Sequence, residues 1–173
     1  METIEYRDVH DKSDWGPGPW QDEPDKKQWR DEATRLPCLI VRNHSGALCG
    51  YVGVPKEHPL HGKGYDAPEV DCHGGLTFAN GCVHGDNPAR GVCHIPGAGE
   101  PDDVWWFGFD CAHAWDVWPA FEARNRGRFS PDPDDVYRDF DYVTRQVTSL
   151  AAQLAAPPQE IIDQLKRKNP QNA

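Results

Sequence analysis

The stretch Val104 to Asp116, VWWFGFDCAHAWD, decides the fold. Its first six residues are almost purely apolar and aromatic, a short run rich in Trp, Phe and Val that reads as a buried strand. Polar groups packed at the end of such a strand project from the rim of a sheet rather than into its core. If the chain turns helical at Asp110, then Asp110, His113 and Asp116 follow at i, i+3 and i+6, close enough on one side of a helix to share a metal ion or a substrate. The plainer alternative is a helix N-terminus in which Asp110 caps the first turn and the other two are solvated.

Upstream, Cys38 to Asn43 and Leu48 to Val54 are β-prone runs flanking the polar turn His44-Ser45-Gly46-Ala47, the pattern of a hairpin. Gly50 and Gly53 inside its second strand imply close approach of another backbone or a ligand. A further strand is expected from Cys72-His73-Gly74-Gly75 through Phe78. The Gly- and Pro-rich segment from Gly81 to Asp103 reads as a long excursion that covers something. Residues 25–36 have good helix formers and stop before Pro37, which predicts a short helix. Downstream, Val136, Phe140, Val143, Val147, Leu150 and Leu154 step by 4, 3, 4, 3 and 4, one continuous stripe of a helix over 135–154. The expected fold is α+β, a mainly antiparallel sheet with a long C-terminal helix packed on one side. Residues 1–24 read as an irregular arm, 25–156 as a single domain, and 157–173 as a short helix and tail after Pro157-Pro158.

A chain of 173 residues is long enough to bury a core without disulfides. The formal charge of −10 argues against binding long nucleic acid or an anionic membrane surface, both of which call for clustered Lys and Arg. No secretory leader or apolar span is legible, so the expected setting is the cytoplasm, and the six cysteines read as thiols or metal ligands rather than disulfides.

Three kinds of chemistry compete for these residues. Cys72-His73, Cys82-Val83-His84 and Cys93-His94 gather donors that zinc prefers, although no C-x-x-C pair is present. His73, Asp110, His113 and Asp116 suit a divalent metal that keeps an open position and activates water; without metal, His113 would be a general base oriented by Asp110, with His73 beside it. Cys111 beside a histidine is a lesser candidate nucleophile, because alternation puts it opposite Asp110. Binding without chemistry would use a pocket of Tyr51, His58, Gly74, Gly75 and Trp106, with aromatic faces for a base and backbone N–H groups for an anion.

The segments CGYVGVP (Cys49 to Pro55), CHGGLTF (Cys72 to Phe78) and WWFGFDCAHAWD (Trp105 to Asp116), together with GPWQDEP near residue 18 and YRDFDYV near residue 137, resemble a family of small proteins encoded by bacteriophages and prophages. The resemblance covers most of the chain and implies a setting rather than an activity: an accessory protein in the cytoplasm of a bacterial host, where such proteins counter defence by binding or degrading nucleotide-derived signals. The leading expectation is a metal-assisted or His/Asp hydrolase of a small phosphorylated or nucleotide-derived molecule. The alternatives are a non-catalytic sponge for such a ligand, working as a homo-oligomer, and an inhibitor of a host protein.

Overall fold

In a computed structural model that describes residues 1–83, 87–100 and 102–155, the aromatic run is the last of six strands. These are β1 (Ile4–Tyr6), β2 (Lys26–Arg30), β3 (Pro37–Arg42), β4 (Leu48–Pro55), β5 (Phe78–Gly81) and β6 (Val104–Asp110). They form one sheet in the order β1-β2-β3-β4-β6-β5, every neighbouring pair antiparallel. The helices are the six-residue α1 (Pro119–Arg124) and α2 (Phe140–Leu154), and α2 packs on β3 and β4. The architecture is therefore α+β with a mainly antiparallel sheet, as expected.

The helix is not long. It has 15 residues and starts at Phe140 because the Asp139 carboxylate caps it by accepting from Tyr142 N. Val136, counted on the stripe, is instead exposed and held in a bridge beside Asp116. The rest of the stripe behaves as its spacing predicts, with Val143, Val147, Leu150 and Leu154 fully buried against the sheet. The last helix expected over residues 159–168 lies outside the described residues.

Strand alternation divides the sheet into two buried faces. Cys38, Ile40, Leu48, Val52, Phe107, Phe109 and then Cys111 point toward α2. Leu39, Val41, Cys49, Tyr51, Val104 and Trp106 point away from it. A Cβ at Gly50 would lie 2.6 Å from Val147 Cγ2 and 2.5 Å from Phe109 Cζ, so the missing side chain is what lets the helix approach β4.

The helix expected over 25–36 is instead strand β2 followed by a turn. The competing signal is period two: Lys26 and Gln28 alternate inward and both are buried, which a solvent-facing helix could not offer. The Lys26 ammonium donates to the carbonyls of Pro88, Gly91 and Cys93 at 2.6 to 2.7 Å. Gln28 accepts from Ile95 N and donates to Ile95 O and Glu2 O. These polar groups satisfy backbone that the Gly/Pro-rich excursion cannot satisfy itself, and they fasten it over the second face.

The strand expected from Cys72 starts only at Phe78, and residues 72–75 make a turn closed by Gly75 N donating to Cys72 O. The N-terminal arm is more ordered than composition suggests, since β1 extends the sheet at its edge. Asp25, 1 % exposed, accepts from Lys12 and from Arg42 Nε, and Arg42 donates onward to Glu23 and Tyr137. Glu23 also accepts from Phe140 N, so GPWQDEP and YRDFDYV meet in space.

The cysteines divide differently from the thiol reading. Cys82 and Cys93 are joined by a disulfide, while Cys38, Cys49, Cys72 and Cys111 are free and buried. Spacing gave no warning of this, because the pair is brought together by the fold-back of the excursion, where Val83 N donates to Val92 O.

Candidate functional site

Past the end of β6 the chain does not turn helical. Asp110 accepts from Ala112 N and from the Thr77 hydroxyl, and a turn closes where Asp116 N donates to His113 O. This turn sets the His113 side chain against the Asp116 carboxylate, Nδ1 to Oδ2 3.3 Å, while the His113 backbone N–H donates to the same oxygen at 3.0 Å.

A second imidazole arrives from the turn at residues 72–75. His73 Nε2 donates to Asp116 Oδ2 at 2.9 Å, and its Nδ1 lies 3.0 Å from the Tyr142 hydroxyl on α2. The Gln146 carboxamide accepts from His73 N, and further along the helix Gln153 both accepts from Asp71 N and donates to Asp71 O. One flank of α2 thus receives the turn residue by residue. The other carboxylate oxygen, Asp116 Oδ1, accepts from Arg138 Nε at 2.8 Å.

Electrostatics follow from this packing. Burial alone would raise the pKa of Asp116, but the Arg138 guanidinium, His73 and the His113 N–H outweigh it and hold the carboxyl below its usual range. Donor atoms of His73, His113 and Asp116 lie within 4.8 Å of one another, a grouping that could hold a metal ion. His73 and Asp116 are buried, whereas the His113 side chain is 20 % exposed and stacks nearly parallel on Trp115, itself 52 % exposed. The group is therefore closed by α2 on one side and opens to solvent past His113 and Trp115.

Gly74 makes room for the ring. Its φ of +65° suits glycine, and a Cβ there would lie 2.1 Å from His113 Cε1 and Nε2. Gly75, at φ +85°, spends its N–H on the turn rather than on a ligand.

The other expected residues fall elsewhere. Asp110 is on the sheet face opposite Cys111, so period two separates it from His113 and Asp116 instead of grouping the three. Tyr51 and Trp106 lie on the face away from α2, with Tyr51 edge-on to Phe78 and Trp106 fully buried, so they do not share a pocket with His73. His58 Nδ1 accepts from Leu60 N, which leaves Nε2 to donate to Leu154 O; it closes the end of α2. Burial pushes the Cys111 thiol pKa up, Asp116 adding to the effect, so it stays protonated and is a poor nucleophile.

Sequence reasoning missed Arg138, Tyr142 and Gln146 as members of the group. Their signal was a polar row at intervals of four, 138, 142 and 146, flanking the apolar stripe. Trp115, the ring beside His113, is largely exposed. Among the described residues no helix is long and apolar enough to cross a membrane. Comparison of the chain with family models, with curated proteins and with solved structures gives no match.

Proposed function

We propose that this chain is a hydrolase of a small phosphorylated or nucleotide-derived molecule, with His73, His113 and Asp116 as its working centre. The observation that supports it is convergence: two imidazoles from separate turns meet one buried carboxylate, and Arg138 and Tyr142 brace them from behind. A pair of histidines, one of them open to solvent, is what proton transfer or metal binding calls for.

A divalent ion such as zinc, held by His73, His113 and Asp116, would supply an activated water and a Lewis acid for the scissile phosphoryl or carbonyl group. Tyr142 would then fix the ring of His73 from its Nδ1 side, the usual outer partner of a ligating imidazole. Without metal the same residues form an acid/base relay in which Asp116 orients His113. Trp115 offers an exposed face on which a planar base can stack, and the Arg138 terminal nitrogens, which make no protein hydrogen bond among the described residues, suit an anionic group.

The exposed Trp115 ring also favours a second reading, a sponge that holds the ligand without cleaving it, as a homo-oligomer in the phage setting that the sequence resemblance implies. The two are separated by incubating the protein with nucleotides and phosphate esters, denaturing it and identifying what is released. A hydrolase yields product, with the rate falling about 10²–10⁴-fold in His113→Ala. Activity that survives both His73→Ala and His113→Ala rejects the centre, and quantitative recovery of intact ligand favours the sponge. Metal analysis of wild type against His113→Ala decides between ion and relay.

A further inference from the structure

Far from α2, the Gly/Pro-rich excursion brings a second donor set together. Donor atoms of Cys82, Cys93, His94 and Asp102 lie within 4.8 Å of one another. They come from three anchored pieces of chain: Cys82 directly follows β5, Asp102 stands two residues before β6, and Cys93 and His94 lie between. Lys26 holds the Cys93 carbonyl and Gln28 brackets Ile95, so the backbone on both sides of His94 is fastened independently of the disulfide.

Two further observations point to a ligand here. His94 is 6 % exposed, yet its Nδ1 is buried with no hydrogen-bond partner, a costly state for an imidazole packed edge-on against Trp106. Asp102 Oδ1 lies 3.5 Å from Cys82 Sγ and 3.6 Å from Cys93 Sγ, a carboxylate oxygen set over both sulfurs at once. A cleft of about 220 Å³ whose wall includes Cys93, His94 and Asp102 gives access to the group.

We infer that Cys82, Cys93, His94 and Asp102 form a redox-gated zinc site, bridged by the disulfide when oxidised and occupied by zinc when reduced. Two thiolates, an imidazole and a carboxylate match the donor preference of zinc in number and kind, with metal-to-ligand distances of about 2.0–2.3 Å. Opening the bridge takes two electrons and two protons from a small thiol reductant such as glutathione, which leaves as its own disulfide. Zinc then displaces the two thiol protons to solvent and restores the cross-link between the excursion and the sheet. The cross-link survives in either state, and the metal is released when exchange with the disulfide form of that small thiol re-forms the bridge, the oxidant leaving as two thiols.

The test uses the full chain and cobalt as the probe. Protein reduced and kept anaerobic is titrated with Co²⁺ and followed by absorption, with circular dichroism as the control for folding. The reduced wild type is expected to take up one cobalt at this site, besides any held by His73, His113 and Asp116, with a thiolate-to-metal charge-transfer band that zinc bleaches, and the oxidised protein to show no such band. Cys93→Ser should abolish the band and His113→Ala should leave it, since the first centre contains no sulfur ligand. Folded, reduced protein that binds cobalt without a sulfur band overturns the site, as does a band that persists in Cys93→Ser or disappears in His113→Ala.

Discussion

Asp116 Oδ2 accepts a hydrogen bond from His73 Nε2 at 2.9 Å although 43 residues separate them in the chain. The contact ties the turn before β5 to the turn after β6, and α2 holds both in place through Tyr142, Gln146 and the neighbouring Arg138. Any function of this centre depends on a carboxylate whose side chain is out of contact with solvent.

Removing that carboxylate should therefore be felt in stability as well as activity. Asp116→Ala leaves Arg138 and two imidazoles without their acceptor, and the expected cost is about 3–5 kcal/mol, the range for breaking a buried pair by deleting one partner. Urea denaturation of wild type and variant measures it. A cost near zero would mean that Asp116 is not the keystone of the group.

Acid should have a graded effect through the same residue. The folded-state pKa of Asp116 lies below its unfolded value, and so does that of Asp25, where burial is outweighed by Lys12, the His10 N–H and Arg42. The unfolded chain thus binds protons more readily, and the stability these carboxylates contribute is complete above about pH 4 and lost as pH falls through the folded values. Urea midpoints between pH 7 and pH 3 should drop in wild type and drop less in Asp116→Asn. Parallel curves would reject the assignment.

Gly74→Ala separates geometry from chemistry. The added methyl meets the His113 ring and the backbone has φ +65°, so the variant should lose about 1 kcal/mol or more and displace His113 from Asp116. The imidazole resonances of His113 should shift while those of His58, bonded at the far end of α2, stay in place. Unmoved His113 signals would contradict the contact.

The ionic core that joins the arm to α2 makes a further demand. Arg42 is fully buried and bonded to Asp25, Glu23 and Tyr137. Arg42→Met should cost about 3–5 kcal/mol, because Glu23 loses its cation and Asp25 is left with Lys12 alone. Tyr137→Phe, which removes the hydroxyl that donates to Glu23, should cost about 1–3 kcal/mol. Thermal melts check both, and equal melting of wild type and Tyr137→Phe would show that Glu23 finds another donor.

Much of this was legible before the fold was seen. The aromatic run became β6, the polar turn at residues 44–47 joined β3 to β4, and the four-three spacing placed Val143, Val147, Leu150 and Leu154 against the sheet. His73, His113 and Asp116 were read as a group and are one. Asp110 was read with them through helical spacing, whereas the chain leaves β6 in an extended state and alternation carries Asp110 to the other face. Lys26 and Gln28 read as helix formers because nothing local reveals that the carbonyls of residues 88–95 will need their hydrogen bonds.

The sequence by itself determined the local periods where they are strongest: the hairpin of β3 and β4, the aromatic strand β6, and the apolar face of α2. Only the tertiary structure decided which histidines share a carboxylate, which cysteines pair, and which polar residues are buried. The physical reason is that periodicity and turn chemistry act over a few residues, whereas the His73–Asp116 bond, the Cys82–Cys93 bridge and the Lys26 contacts join groups 43, 11 and 62 to 67 residues apart. Such contacts are set by sheet order and by the need to satisfy every buried polar group at once.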